Sequence, residues 1–238
     1  MSNQPAKMIK SSAAKLREVL HRTVESADDR LFHLRHHSSF LSRASYIAEE
    51  SERLRLLKGL HDRYTNEISS RGMAISLKLA SLLLHICRQT QPKVILDLGS
   101  GFSSLVFRIY AAEASTVVYS VDDDPLWLDK TRAFIGGLNL SQENFVEWSE
   151  FQRAPIKADL ILHDLGRAPQ RCGTMPLIPR YGHKQTLGIL DDVHKKNVRC
   201  AAKEMVRSHQ LRYEDLKDVS IDHYGRYQWL VFGFSENL

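Results

Sequence analysis

Along the first third of the chain, apolar positions recur every three or four residues. Phe40, Ala44, Ile47, Ser51, Leu54, Leu57, Leu60, Tyr64 and Ile68 fall on one face, with Glu49, Glu50, Glu52, Arg53 and Arg55 between them. That period predicts one long amphipathic helix, or two joined near Gly59, inside a helical region over residues 12–90. Residues 73–88 are apolar over more of the circumference, so a helix there is predicted to be more deeply buried. The first dozen residues are polar and are expected to be loose. After Gln91 and Pro92 the period changes, and short apolar runs alternate with helical stretches. The runs cover residues 94–98, 116–121, 145–148, 160–163, 186–190, 219–222 and 229–234. The first five predict buried parallel strands with helical crossovers, and the last two an antiparallel hairpin turning through "DHYGRY". The expected architecture is α/β: a doubly wound, mostly parallel sheet with an antiparallel C-terminal hairpin, plus an N-terminal helical extension. A boundary near residue 90 divides a helical cap, 1–90, from the sheet domain, 91–238.

Composition narrows the class without changing this picture. The 238 residues are 43% apolar and 26% charged, the balance of an ordinary globular protein. No apolar run approaches the ~18–20 residues of a bilayer span. The N-terminus shows neither the apolar stretch nor the cleavage site of a secretory signal. Cys87, Cys172 and Cys200 are too few and too far apart for a disulfide framework or a zinc ligand set, so a reducing, cytoplasmic setting is expected. The formal charge of +5 permits an acidic partner or nucleic acid, but a solvated lysine-rich surface accounts for it better. His33, His36 and His37, in "RLFHLRHH", have no acid or cysteine at ligand spacing and read as a solvated helix face. Trp127 and Trp229 read as packing residues.

The chemistry concentrates in "VILDLGSGFSS", residues 94–104. Gly99 and Gly101 follow the first strand of the sheet, where open α/β sheets receive ligands and where missing side chains allow close approach. Asp97 stands at the mouth of that turn. A carboxylate there opposes a pyrophosphate and suits a cation, and S-adenosylmethionine carries an ammonium and a sulfonium but no phosphate. About twenty residues on, "VYSVDDDP" places Asp122 at the end of the second strand, where a carboxylate accepts both hydroxyls of a ribose. D-x-G-x-G followed by this acid resembles the class I S-adenosylmethionine-dependent methyltransferases, Rossmann-like proteins, over residues 73–238. The resemblance implies that Asp97, Gly99, Ser100, Gly101 and Ser103 surround the methionine half of the cofactor and that Asp122 binds the ribose. Trp148, at the end of the third strand, reads as a packing residue like the other two tryptophans or, alternatively, as a flank for the adenine. Ser103 stands where many members have a third glycine. A tight turn without a ligand is the alternative for this loop, and a nicotinamide enzyme would need glycine at Ser104.

Two further strand ends carry acids. "ADLILHDLGRAP" ends in Asp164, and "TLGILDDVHKK" in Asp191 and Asp192. Neighbouring strands lie about 5 Å apart, so the three carboxylates could converge and hold a hard divalent ion such as Mg²⁺. The layout is similar to the catechol O-methyltransferase group, in which an aspartate ends strand four and an Asp–Asn pair ends strand five. Asp192 here replaces the asparagine. Arg167 stands where that group has a lysine base, and arginine stays protonated. His163 and His194 are then the candidate bases. Alternatively, Asp164 caps the next helix or pairs with Arg167, and Asp191 and Asp192 cap the helix that follows them.

The reading is a methyltransferase that modifies a hydroxyl of a small-molecule acceptor, with divalent-metal assistance allowed. The N-terminal helices would close over the substrate or form a homodimer contact. Two alternatives stay open: an RNA or other nucleic-acid methyltransferase, and a cofactor-binding regulatory module without turnover. Against the first, strand four ends in "HDLG" rather than an Asn/Asp-Pro-Pro-aromatic motif, and no Pro-Cys pair is present.

Overall fold

The change of period at Pro92 marks the point where helices give way to the sheet. The computed structural model describes residues 26–235. The predicted loose start and the helical reading from residue 12 to residue 25 lie outside the described residues. The chain divides into two compact units, Met1–His37 and Ser38–Leu238. In the first, residues 26–36 are helical and expose Leu34 and Arg35; Phe32 tilts against His36 and His33 stacks on His37. The expected boundary near residue 90 falls inside the second unit.

In that second unit α1, Arg43–Glu67, runs unbroken through Gly59 and is capped by the Ser42 hydroxyl. Its inward face matches the predicted one at Leu57 and Tyr64 but departs from it in the first half of the helix. Tyr46, Arg53, Leu57, His61 and Tyr64 are buried, while Ala44, Ile47 and Ser51 are exposed. The shift follows from Arg53, whose guanidinium donates to the Tyr46 carbonyl and to Ser81 Oγ at 3.2 Å and so is buried with its donors satisfied. Next, α2, Leu77–Thr90, begins at the Ser76 cap and buries Leu79 through Cys87 on all sides, as its composition predicts.

The sheet has seven strands in the order β3-β2-β1-β4-β5-β7-β6. They are β1 Val94–Leu98, β2 Val117–Asp122, β3 Phe145–Glu147, β4 Leu160–His163, β5 Leu187–Leu190, β6 Arg212–Asp215 and β7 Trp229–Phe232. The first five pair in parallel; β7 runs antiparallel to both β5 and β6. This is the expected doubly wound sheet with its antiparallel hairpin. The sixth strand is displaced from its predicted place, because residues 217–220 form a short helix and the polar "RYED" forms the strand. Glu214 is buried there because it pairs with Arg43 at 2.8 Å and accepts the Phe40 and Leu41 N–H groups. The intervening helices are α3 Phe102–Glu113, α4 Pro125–Gly136, α5 Trp148–Phe151, α6 Ala168–Thr174, α7 Lys196–Ser208 and α8 Lys217–Ser220. A 3₁₀ turn at Met175–Tyr181 follows α6. Cys87, Cys172 and Cys200 are all free thiols. No helix among the described residues is long and apolar enough to cross a membrane.

Strand order reverses between β1 and β4, so the ligand crevice belongs above their carboxyl ends. Every candidate residue from the sequence except Trp148, Asp191, Asp192 and His194 sits at the ends of β1, β2 or β4 or in the turns leaving them.

Candidate functional site

The turn after β1 is built from its own donors and acceptors. Gly99 has φ +108°, and a β-carbon on it would lie 2.4 Å from the Asp164 carbonyl oxygen, so only glycine lets the ends of β1 and β4 close. The Gly99 N–H donates to the Val121 carbonyl at 2.8 Å. The Ser100 N–H donates to Asp122 Oδ2 at 2.7 Å, and the Gly101 N–H to Ser104 Oγ at 3.2 Å. These three loop amides are therefore spent within the protein, unlike the open N–H cradle that holds a pyrophosphate.

Asp97 explains how the turn is fixed. It is fully buried, and its Oδ2 accepts from Ser104 Oγ at 2.5 Å and Ser103 Oγ at 3.1 Å. Ser104 thus relays Asp97 to the Gly101 amide. Burial pushes the Asp97 carboxyl up to about 7, against the pull of the two hydroxyls and of Arg108. Asp97 lies beneath the loop and does not itself line the cavity. Its Oδ1 is buried with no hydrogen-bond partner among the described residues. Ser103, likewise expected beside the ligand, lines the cavity while binding Asp97.

Above the turn is a cavity of about 560 Å³. Gly99, Ser100 and Gly101 form its floor, Asp122, Asp123 and Asp124 one rim, and Asp164, Arg167 and Arg171 the other. Asp122 accepts Ser100 Oγ at 2.9 Å and the Asp124 N–H at 3.0 Å, so both its oxygens already hold the loop in place. Burial raises its pKa. Asp123, which sequence reasoning passed over, is exposed, lines the cavity and makes no hydrogen bond among the described residues. Its Oδ1 would lie 3.1 Å from a β-carbon on Gly166, so the turns after β2 and β4 meet across the opening. Trp127 donates from Nε1 to the Ser100 carbonyl at 2.7 Å and is the tryptophan of the cavity. Trp148 is not: it opens α5, stacks on Phe151 at 5.9 Å and lies off the cavity wall. Trp127 also packs against the core, as expected. The signal for Trp127 is its place in the first turn of the helix that the Asp124 carboxylate caps.

Residues from the helical region complete the enclosure. Tyr64 of α1 and Met73, Ala74 and Ile75 of the segment before α2 line the cavity. That segment is strapped by Arg226, which pairs with Asp222 at 2.7 Å and donates to the Gly72 and Ala74 carbonyls at 3.0 and 3.1 Å. The hairpin arginine is therefore a support of the cavity wall.

The second set of acids is arranged differently. Asp164 pairs with Arg171 Nη2 at 2.6 Å; Asp192 pairs with both Arg171 and Lys195. Asp191 accepts from Gln228 Nε2 at 2.5 Å. Burial, then Asp191, raises the pKa of Asp164 well above the ordinary carboxylate range, with Arg171 opposing. Of the three acids, Asp164 alone lines the cavity. These residues do not fit the divalent ion that the sequence allows, because the oxygens such an ion needs already bind a guanidinium, an ammonium and an amide. Among the described residues no group of three acidic, histidine or cysteine side chains is disposed to hold a metal.

Neither histidine lines the cavity. His163 is fully buried, shares a 2.8 Å hydrogen bond with Thr174 Oγ1 and is held neutral, its pKa lowered to about 3 by burial and then by Arg171. His194 lies off the cavity wall with Nδ1 3.5 Å from Asp192. Arg167 stands at the N-cap position of α6 without a side-chain capping bond and lines the cavity, with no pairing to Asp164 among the described residues.

No family model and no curated protein matches the chain. Solved structures do match, at the level of fold. An O-methyltransferase from Bacillus cereus in complex with S-adenosylhomocysteine has a TM-score of 0.53 at 13% identity, covering 77% of this chain and 89% of that one. The O-methyltransferase TomG from Streptomyces achromogenes, in complex with S-adenosylmethionine, has a TM-score of 0.52 at 11% identity, covering 88% and 96%. Methyltransferase PaMTH1 from Podospora anserina, bound to S-adenosylhomocysteine, has a TM-score of 0.51 at 14% identity, covering 87% and 94%. The chain has the Rossmann-like fold of the class I S-adenosylmethionine-dependent methyltransferases.

Proposed function

We propose that this protein is an S-adenosylmethionine-dependent methyltransferase acting on an oxygen of a small-molecule acceptor. One observation carries the reading: a cavity at the switch point of the sheet whose floor amides are spent internally while its rim bears carboxylates. Such a rim favours a cationic nucleoside and opposes a pyrophosphate. The orphaned Asp97 Oδ1 below the floor adds negative character where an ammonium would be welcome.

S-adenosylmethionine, when bound, supplies a methyl group made electrophilic by its sulfonium. Asp122 and Asp123 are the residues to hold the ribose hydroxyls, with Trp127 and the turn of Gly99 to Gly101 bounding the rest. Asp164, the one acid of the β4 and β5 ends that lines the cavity, is the group placed to take the proton of the acceptor hydroxyl. Tyr64, Met73, Ala74 and Ile75 keep water from the opening, and the protein's work is positioning and exclusion.

The test uses methyl-labelled cofactor with a panel of phenols, sugar hydroxyls and carboxylates, following release of S-adenosylhomocysteine. Turnover with at least one acceptor, lost in Asp164→Ala, is the expected result. Cofactor binding without turnover on any of them would favour the regulatory module instead.

A further inference from the structure

Where β4 and β5 end side by side, the cation among the acids belongs to the chain itself. Arg171 of α6 spans the two strands, pairing through Nη2 with Asp164 and through Nη1 with Asp192. Its Nη2 also donates to the Gly166 carbonyl at 2.8 Å, which fixes the guanidinium relative to the turn after β4. Lys195 occupies the same oxygen of Asp192, and Gln228 occupies Asp191. The Arg171 side chain is 12% exposed and lines the cavity.

We propose that Arg171 is a built-in cation doing at this cluster what a divalent ion would do: it ties the strand-end carboxylates together and presents positive charge to the acceptor oxygen. A hard divalent ion needs several oxygens turned toward one point. Here Asp192 Oδ2 faces two positive side chains and Asp191 Oδ1 an amide donor, so an incoming ion must first displace them. A guanidinium stays charged at any working pH and bridges two carboxylates with separate N–H groups. With Arg167 on the same wall, it favours an acceptor that bears a carboxylate or phenolate oxygen. The word acceptor rests on the methyltransferase reading; the charge argument does not.

The experiment uses Mn²⁺ as the probe, read by electron paramagnetic resonance and by thermal melting, on the full chain. Wild type and Arg171→Lys should take up no Mn²⁺ at millimolar concentration and melt unchanged. The double variant Arg171→Ala with Asp192→Asn removes one charge of each sign, and it should bind about one equivalent, at least tenfold more tightly than wild type. Stoichiometric Mn²⁺ on the wild type would overturn the proposal, as would a folded double variant that stays metal-free. If the double variant shows no folded melt, Arg171→Gln decides: uptake of Mn²⁺ supports the proposal and exclusion contradicts it. Calorimetry with S-adenosylhomocysteine runs in parallel. Its failure on wild type would count against the methyltransferase reading and leave the Mn²⁺ result standing by itself.

Discussion

The two halves of the crevice neutralise their acids in opposite ways. At the ends of β1 and β2, Asp97 Oδ2 and both oxygens of Asp122 accept from hydroxyls and amides of the turns that leave those strands, while Asp97 Oδ1 has no partner among the described residues. At the ends of β4 and β5, Asp164, Asp191 and Asp192 are satisfied by Arg171, Lys195 and Gln228, side chains of separate elements. The first corner is a rigid floor that keeps a negative character for a ligand. The second is a tied set of charges with a guanidinium at its centre. A folded strand end tolerates clustered carboxylates by either route, but only the second places a cation in the cavity.

The comparison can be broken first at its hinge. Gly99→Ala sets a β-carbon against the Asp164 carbonyl in a left-handed conformation, and should cost about 4 kcal/mol or leave no folded protein by thermal melting. Next is Asp192→Ala, which takes from the buried Arg171 one of its two carboxylate partners and from Lys195 its partner. A loss of about 3 kcal/mol in denaturant unfolding is expected, and a neutral result would mean that the acids at β4 and β5 are not held by that pair. On the other side, Asp122→Ala should weaken S-adenosylhomocysteine binding by about ten- to a hundredfold in calorimetry, the worth of charge-assisted hydrogen bonds. Unchanged affinity would move the ribose contact to Asp123 alone.

A subtler difference concerns pH. The Asp97 carboxyl sits at about 7 in the folded chain and near about 4 when unfolded. Between those values the folded state holds more protons. The contribution of Asp97 to stability is therefore full below about pH 4 and is lost as pH rises through about 7. Asp97→Asn, uncharged throughout, should gain melting temperature relative to wild type between about pH 5 and about pH 8. A difference independent of pH would show that burial does not govern this group. The smallest effect is Trp148→Phe, which should leave cofactor affinity within about twofold, whereas Trp127→Phe removes the hydrogen bond to Ser100 and should weaken it.

The first corner was legible in the sequence because its chemistry is local: the glycines, the hydroxyls and the two acids lie close together in the chain. The order and type of the parallel strands were legible for the same reason, each being a short apolar run. The second corner was only half legible. Its acids stand at strand ends, but Arg171 reaches them through the placement of α6 and Gln228 from beyond the hairpin turn, and no spacing rule announces either. The inward face of α1 was misread because a buried arginine with satisfied donors looks like a surface residue in a hydropathy pattern. The strand "RYED" was missed likewise, its glutamate being buried only because Arg43 and two backbone amides meet it.

The claim beneath all of this is that the floor and rim of the cavity select a cationic nucleoside. Calorimetric titration of the purified chain with S-adenosylmethionine, alongside a nicotinamide dinucleotide, tests it most directly. One equivalent of the sulfonium nucleoside should bind with release of heat that Asp122→Ala diminishes, and the dinucleotide should give none. Uptake of the dinucleotide with indifference to the sulfonium would contradict the account.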